Sequence, residues 1–394
     1  MAPPAAPPGS QTPRAANPKL EQSIGQATSV IMPLLELGAV GYVTWVLVYQ
    51  ISIQYLTSPS LDIQISFEVE PRPATGIALI VVYAIVMLVM LVAWMRLLMA
   101  IWTKPDLVPL GDGKTEKGAT STKTLGFDGY DAFVCDYFGD PLWCDKCSNW
   151  KPDRAHHCKE LGRCVRRMDH YCPWAGGIIG ESTHKWFLQF VGYGALYTLY
   201  VWIVVAVFLA ERSSKMNSRP GTWIGTLVTA VLFFVFAFTM SCMTGWNLMI
   251  NFTSVEAAQR GGVHNIAFLI SHQPQGSSPT SRPSTPPSPS VKPPTPESAE
   301  EWTVLRTVQR NTGRTYVVMQ TKPLEHPWYT SLRQGWEDTM GTKVLDWFLP
   351  LKQSPCTQRS RKGEFAWGEL IYDMAQQYEK QNPGIKLAIL EGRR

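Results

Sequence analysis

Four stretches of this 394-residue chain, at residues 29–51, 76–102, 186–210 and 221–250, are apolar over the length that crossing a bilayer demands. That length is about 20 residues of helix. Hydrocarbon offers no hydrogen-bond partners, so segments of this kind must be helices that satisfy their own peptide groups. A buried helix in a large soluble core would explain one such stretch but not four. The expected fold is therefore an all-α polytopic membrane protein, with four transmembrane helices and a small cysteine-rich domain between the second and third. Charges inside the spans are few. Glu36 lies near the start of the first, and Arg96 near the end of the second, where it can snorkel to the interface.

Charge then sets an expected orientation. Residues 52–75 hold one basic residue, Arg72, against Asp62, Glu68 and Glu70, whereas the loop at 103–185 and the C-terminal tail are richer in Lys and Arg. Positive charge marks the cytosolic side, which places both termini and the long loop there. The short turn after the third span, with Arg212, Lys215 and Arg219, points the other way. The cysteines decide between them. Five of the eight (Cys144, Cys147, Cys158, Cys164, Cys172) fall within 29 residues of that loop. Clustered free thiols suit the reducing cytosol and read as metal ligands or catalytic groups, not as a disulfide scaffold. A net charge of +5, spread along the chain, gives no reason to expect nucleic acid as a partner.

Residues 1–28 read as a disordered tail, proline-rich at its start. Residues 251–273 form a post-membrane segment, and 274–298, rich in Pro, Ser and Thr, a disordered linker. In the C-terminal region, 299–394, Trp302, Trp328, Trp336, Trp347 and Trp367 imply packed or membrane-associated structure. Trp367, Leu370, Ile371, Met374 and Tyr378 follow helical spacing and predict an amphipathic helix.

Within the loop, Cys144 and Cys147 form a C-x2-C pair, followed by His157 and Cys164. Structural zinc takes four N/S ligands in a tetrahedron, and these residues supply a complete Cys3His set. Such a site is worth on the order of 10 kcal/mol to a small domain with little core of its own. Cys172 differs. It follows His170 by two residues, so in an extended segment the two side chains share a face. A free thiol with a pKa near 8.5 is only about 3% thiolate at neutral pH. An imidazole beside it raises that share as ion-pair partner or general base, and Asp169 can hold the imidazole in the required tautomer. Taken bare, Asp-His-x-Cys is a weak signal. Just after a zinc knuckle and just before a transmembrane span, it is a strong one.

The run Cys144-Asp-Lys-Cys147, Lys151-Pro-Asp-Arg154, His156-His157-Cys158, Arg163-Cys164 and Met168-Asp-His-Tyr-Cys-Pro-Trp174 resembles the DHHC cysteine-rich domain of protein S-palmitoyltransferases, and within it the fungal branch whose motif reads Asp-His-Tyr-Cys. Thr253-Ser254-Val255-Glu256 is similar to the family's Thr-Thr-x-Glu motif. The expected Asp-Pro-Gly motif has only Lys104-Pro105-Asp106 as a counterpart. The resemblance implies that Cys172 takes an acyl group from palmitoyl-CoA and passes it to a membrane-proximal cysteine of a substrate protein. His170 would be the base, Asp169 its orienter, and Trp174 would lie beside the thioester. Tyr197 would line the floor of an acyl cavity among the spans. The family usually binds two zinc ions. Here the second site keeps only Cys158, and its other ligand positions read Leu161, Tyr171 and Ile178. A single zinc is therefore expected, with a small apolar cluster in place of the second. Two other readings stand beside this one. A membrane adaptor could keep the zinc fold without turnover. A channel or transporter would need intramembrane polar residues, of which the spans hold almost none.

Overall fold

The computed structural model describes residues 18–103, 105–110, 127–259, 262–272, 302–310, 312–356 and 360–391. The proline-rich start of the tail and the linker at 274–298 lie outside them. Four of its helices are long and apolar enough to cross a membrane. Helix α1 (Pro18–Thr44) continues through a π-helical stretch, Trp45–Thr57. After the short α2 (Leu61–Phe67) come α3 (Pro73–Thr103), α4 (His184–Met216) and α5 (Gly221–Met249). The expected tail ended at residue 28, but α1 begins ten residues sooner. Beyond Pro18 nothing breaks the helix before the span. Val46, Leu47 and Ile51 pack with Tyr83 and Met90 of α3, Val201 and Val205 of α4, and Ala230 of α5. The one basic residue of the 52–75 loop, Arg72, forms a two-pronged ion pair with Glu211 at the end of α4, with contacts of 2.6 and 3.1 Å.

The fold is not all-α. Strand β1 (Ala132–Cys135) is followed by three small hairpins: β2 (Trp143–Cys144) with β3 (Asn149–Trp150), β4 (His156–Cys158) with β5 (Arg163–Val165), and β6 (His170–Cys172) with β7 (Gly177–Ile179). Beyond α5, the five-residue helix α6 (Ser254–Ala258) leads into β8 (Asn265–His272), β9 (Thr303–Gln309) and β10 (Thr315–Gln320). Then follow α7 (Leu332–Met340), α8 (Val344–Phe348), α9 (Glu369–Gln381) and β11 (Lys386–Leu387). Strands β1, β8, β10 and β9 lie in that order in one antiparallel sheet, with β11 added on β8. The cysteine-rich loop and the tail therefore share a sheet instead of forming separate domains.

The physical reason lies in the strands themselves. Thr-Val-Leu-Arg-Thr-Val-Gln and Thr-Tyr-Val-Val-Met-Gln are rich in β-branched residues, and the second, β10, buries Tyr316, Val317, Val318 and Met319 on both faces. One face packs on Ile371, Met374 and Tyr378 of α9. The other packs on Phe127 and Trp150. The predicted amphipathic helix thus covers protein and not lipid.

Candidate active site and metal cluster

The hairpins fix the metal-ligating set. His157 and Cys164 are directly paired across β4 and β5, while Cys144 ends β2 and Cys147 lies in the turn that follows. The Cys144 and Cys147 sulfurs lie 3.5 and 3.2 Å from His157 Nδ1. All four donor atoms fall within 4.8 Å of one another. The 3.5 and 3.2 Å distances are close to the edge, about 3.3 to 3.8 Å, of a tetrahedron whose bonds to a central ion are about 2.0 to 2.3 Å. It is the single cluster of this kind among the described residues.

The residues at the expected second ligand positions lie in an apolar cluster. Cys158 is fully buried with Val165 and Ile178, and Leu107, Leu161, Met168 and Tyr171 pack around them. Tyr171 also donates a 2.8 Å hydrogen bond to the Gly25 carbonyl, tying the hairpin to α1. Side chains packed in this way each contribute roughly 1.5 to 3 kcal/mol on burial.

Cys172 and Gly177 face each other across the β6–β7 hairpin, whose turn is pressed onto α3. Gly176 and Gly177 have φ of +86° and +147°, and a Cβ on either would meet Leu98 or Ile101 within 2.8 Å. Trp102 Nε1 donates to the Gly176 carbonyl at 3.2 Å. Both glycines are thus needed for the backbone turn and for its close approach to α3. The alternation of β6 puts His170 and Cys172 on one face.

Asp169 is the hub of the site. His170 Nδ1 donates to its Oδ2 at 2.6 Å, the Ser254 amide to its Oδ1 at 2.6 Å, and the Ser254 hydroxyl to its Oδ2 at 3.1 Å. His184, at the start of α4, brings Nε2 to 3.3 Å from Oδ1. Burial would raise the Asp169 pKa, but His184 and His170 outweigh it and hold the carboxyl well below the usual carboxylate range. For His170, burial disfavours the charged ring. The Asp169 hydrogen bond, helped by the nearby Cys172, prevails and pushes its pKa up to about 9. His170 Nε2 is buried without a hydrogen-bond partner.

From Cys172 an apolar cavity of about 130 Å³ runs between the spans, lined by Trp174, Phe187, Val191, Tyr197 and Met240 among others. Trp174 stands edge-on to Phe233, with ring centroids 6.0 Å apart. Tyr197 is buried, and its hydroxyl lies 3.0 Å from that of Tyr83, which in turn lies 2.6 Å from Thr44 Oγ1. Ten residues of α4 separate Phe187 from Tyr197, a run of about 15 Å.

Three contributors escaped the sequence reading. Ser254 and His184 were not assigned to Asp169, being 85 and 15 positions away. Glu36, expected near a span end, lies well inside the span Lys19–Thr57 and lines the cavity. The one available signal was Glu256 of the Thr253-Ser254-Val255-Glu256 run. A complete capping box joins Thr253 and Glu256, and it presents the Ser254 amide to Asp169.

A family model described as DHHC palmitoyltransferase matches residues 137–261, the stretch that holds both clusters. The chain carries a DHHC palmitoyltransferase domain. It is 28% identical to the palmitoyltransferase pfa5 of Aspergillus fumigatus over 89% of its own length and 90% of that protein's. Identity to pfa5 of Emericella nidulans is also 28%, over 89% and 86%. The palmitoyltransferase ZDHHC15 of Xenopus laevis is 38% identical over a shorter part, 30% of this chain and 36% of that one. The long alignments to the fungal proteins extend well beyond the cysteine-rich core.

Proposed function

We propose that this protein S-palmitoyltransferase works through an S-acyl intermediate on Cys172, with palmitoyl-CoA as donor and membrane-proximal cysteines of substrate proteins as acceptors. The observation that carries this reading is that Cys172, beside the Asp169–His170 pair, lines an apolar cavity among the spans. The Cys172 thiolate attacks the acyl carbonyl, the carbon–sulfur bond to coenzyme A breaks, and His170 gives its proton to the departing sulfur. In the second step the substrate thiol loses its proton to His170 and attacks, and Cys172 leaves as thiolate. His170 thus serves first as ion-pair partner and acid, then as base. Asp169 fixes its tautomer. The test is direct. Purified protein given palmitoyl-CoA should gain a hydroxylamine-sensitive acyl group that mass spectrometry maps to the Cys172 peptide. Metal-loaded protein that never labels would favour the adaptor reading.

In this scheme Trp174 flanks the thioester and Tyr197 closes the cavity floor. Tyr197→Ala should shift donor preference toward longer acyl-CoA chains in competition labelling; an unchanged profile removes Tyr197 from that role. The Cys144, Cys147, His157 and Cys164 donors suit a structural zinc ion that holds the hairpins together. Metal analysis should give one zinc per chain, and two would overturn the apolar replacement of the second site. The catalytic loop and both termini are assigned to the cytosolic side, where free thiols persist.

The raised His170 pKa also has a sign that can be checked. A folded pKa of about 9 against 6.5 for the free imidazole means that the charged ring stabilises the fold. This stabilisation is complete below about pH 6.5 and is lost as the pH rises through about 9. Wild type should therefore exceed His170→Gln in thermal midpoint by a margin that is constant at low pH and shrinks between those values. A margin that does not vary with pH would show that the charge contributes nothing.

A further inference from the structure

The segment Lys343–Lys352, which carries α8, exposes Val344, Leu345, Phe348, Leu349 and Leu351, with Leu345 at 70% and Leu351 at 65%. Five large apolar side chains in so short a stretch of surface would be an aggregation hazard in water. What holds the segment in place points to its surroundings. Gln189 of α4 donates to the Trp347 carbonyl at 3.0 Å and more weakly to that of Asp346. Tyr193, also of α4, donates to the Phe348 carbonyl. Arg96 of α3 donates to the Pro350 and Leu351 carbonyls at 3.0 and 2.8 Å. Five backbone acceptors of an irregular segment are thus satisfied by side chains projecting from two membrane-spanning helices. Water would do this at no cost, whereas hydrocarbon demands it.

Position agrees. Tyr193 lies nine residues into α4, about 13 Å from its start, and Arg96 about 10 Å from the end of α3. Next to Arg96, Met95, Met99 and Trp102 turn outward with 52–59% exposure, as lipid-facing side chains do. The exposed face of the segment continues that surface. Lys343 and Lys352 flank it, and Lys352 pairs at 3.3 Å with Asp346, the one acidic residue between them, so that the charge between the lysines is not left alone beside the apolar side chains. The segment is joined to the tail by Trp347, which stands edge-on to Trp336 of α7 at 5.7 Å. Helix α7 in turn rests on the end of α5, where a Cβ on Gly335 would fall 2.3 Å from the Met249 carbonyl.

We propose that residues 343–352 form an interfacial foot, a fifth membrane contact that inserts into the leaflet bordering the cysteine-rich domain. Its partner is the lipid bilayer. It fixes the tail, and with it the shared sheet and Asp169's partner Ser254, at a set height above the hydrocarbon.

The test uses the full-length protein in phosphatidylcholine nanodiscs. A clickable azidophenylalanine carrying an environment-sensitive fluorophore replaces Leu345 or Phe348, one at a time. Met99 on α3 serves as the lipid-facing reference and Gln376 on α9 as the aqueous one. The labels at 345 and 348 should be blue-shifted and quenched by dibrominated lipid as strongly as the label at 99. Aqueous iodide should quench only the label at 376. Iodide quenching at 345 and 348, matching position 376, would overturn the proposal. So would shielding from both quenchers, which would mean that a protein segment covers the face. The readout does not depend on activity, so it stands apart from the proposed chemistry of Cys172.

Discussion

Cys172→Ser should take up no acyl group from palmitoyl-CoA, and transfer to substrate proteins should fall by at least about three orders of magnitude, the scale on which enzymes lose their nucleophile. The loss follows from how the site is built. A serine hydroxyl needs a base to become nucleophilic. Asp169 still favours the charged form of the neighbouring imidazole in this variant, so near neutrality the ring offers a proton instead of accepting one. A site poised in this way suits a thiolate and not an alcohol. Two controls separate this from a folding defect. The variant should hold as much metal as the wild type, because Cys172 is not among the four clustered donors. Cys158→Ser, which changes a buried thiol outside the cavity, should retain labelling even if it loses some stability. Labelling that persists in Cys172→Ser at a second cysteine would reject the assigned nucleophile.

The site was legible where its chemistry is local. Cys144, Cys147, His157 and Cys164 lie within 21 residues, and Asp169, His170 and Cys172 within four, so residue type and spacing carried the reading. The apolar cluster around Cys158 was legible for the same reason, since Leu161, Tyr171 and Ile178 are poor ligands and good core. The sheet was hidden because its strands come from three distant parts of the chain. β1, β8 and the β9–β10 hairpin are four to eight residues long, and none is a convincing strand until the others cover it. His184 was hidden differently. It opens a span whose apolar run dominates the sequence signal, and only the return of the chain to Asp169 gives it a partner. Length and hydropathy revealed the spans but not their facing. Glu36 therefore read as a boundary charge, although it lines the cavity.

Glu256→Ala should be the most destabilising single change outside the metal site, costing about 3 to 5 kcal/mol, the usual penalty for leaving a buried charge without its partner. Arg154 and Glu256 are both buried. Arg154 Nε and Nη2 donate to the two Glu256 oxygens at 2.7 Å each. Arg154 also donates to the Asn251 side chain at 2.9 Å and its carbonyl at 2.6 Å, and it lies over the Trp328 ring at 4.9 Å. Burial alone would raise the Glu256 pKa, but Arg154 outweighs it and keeps the carboxylate charged. Removing that carboxylate strands a guanidinium that cannot lose its proton. The same change deletes the acceptor for the Thr253 amide, so the capping box fails and α6 loosens. Ser254 then no longer holds Asp169, and acylation should drop together with stability. Glu256→Gln keeps the shape and part of the hydrogen bonding, and should fall between wild type and alanine in both respects. Replacing the pair together, as Arg154→Met with Glu256→Leu, should recover much of the thermal midpoint because no charge is left unpaired. Activity should remain low in that double variant, since the amide of Ser254 depends on the Thr253–Glu256 cap for its placement. Thermal unfolding and acyl labelling on the same four proteins test this separation. Equal midpoints for Glu256→Ala and wild type would show that the ion pair contributes nothing to the fold, and parallel recovery of both properties would show that the cap does not position Asp169.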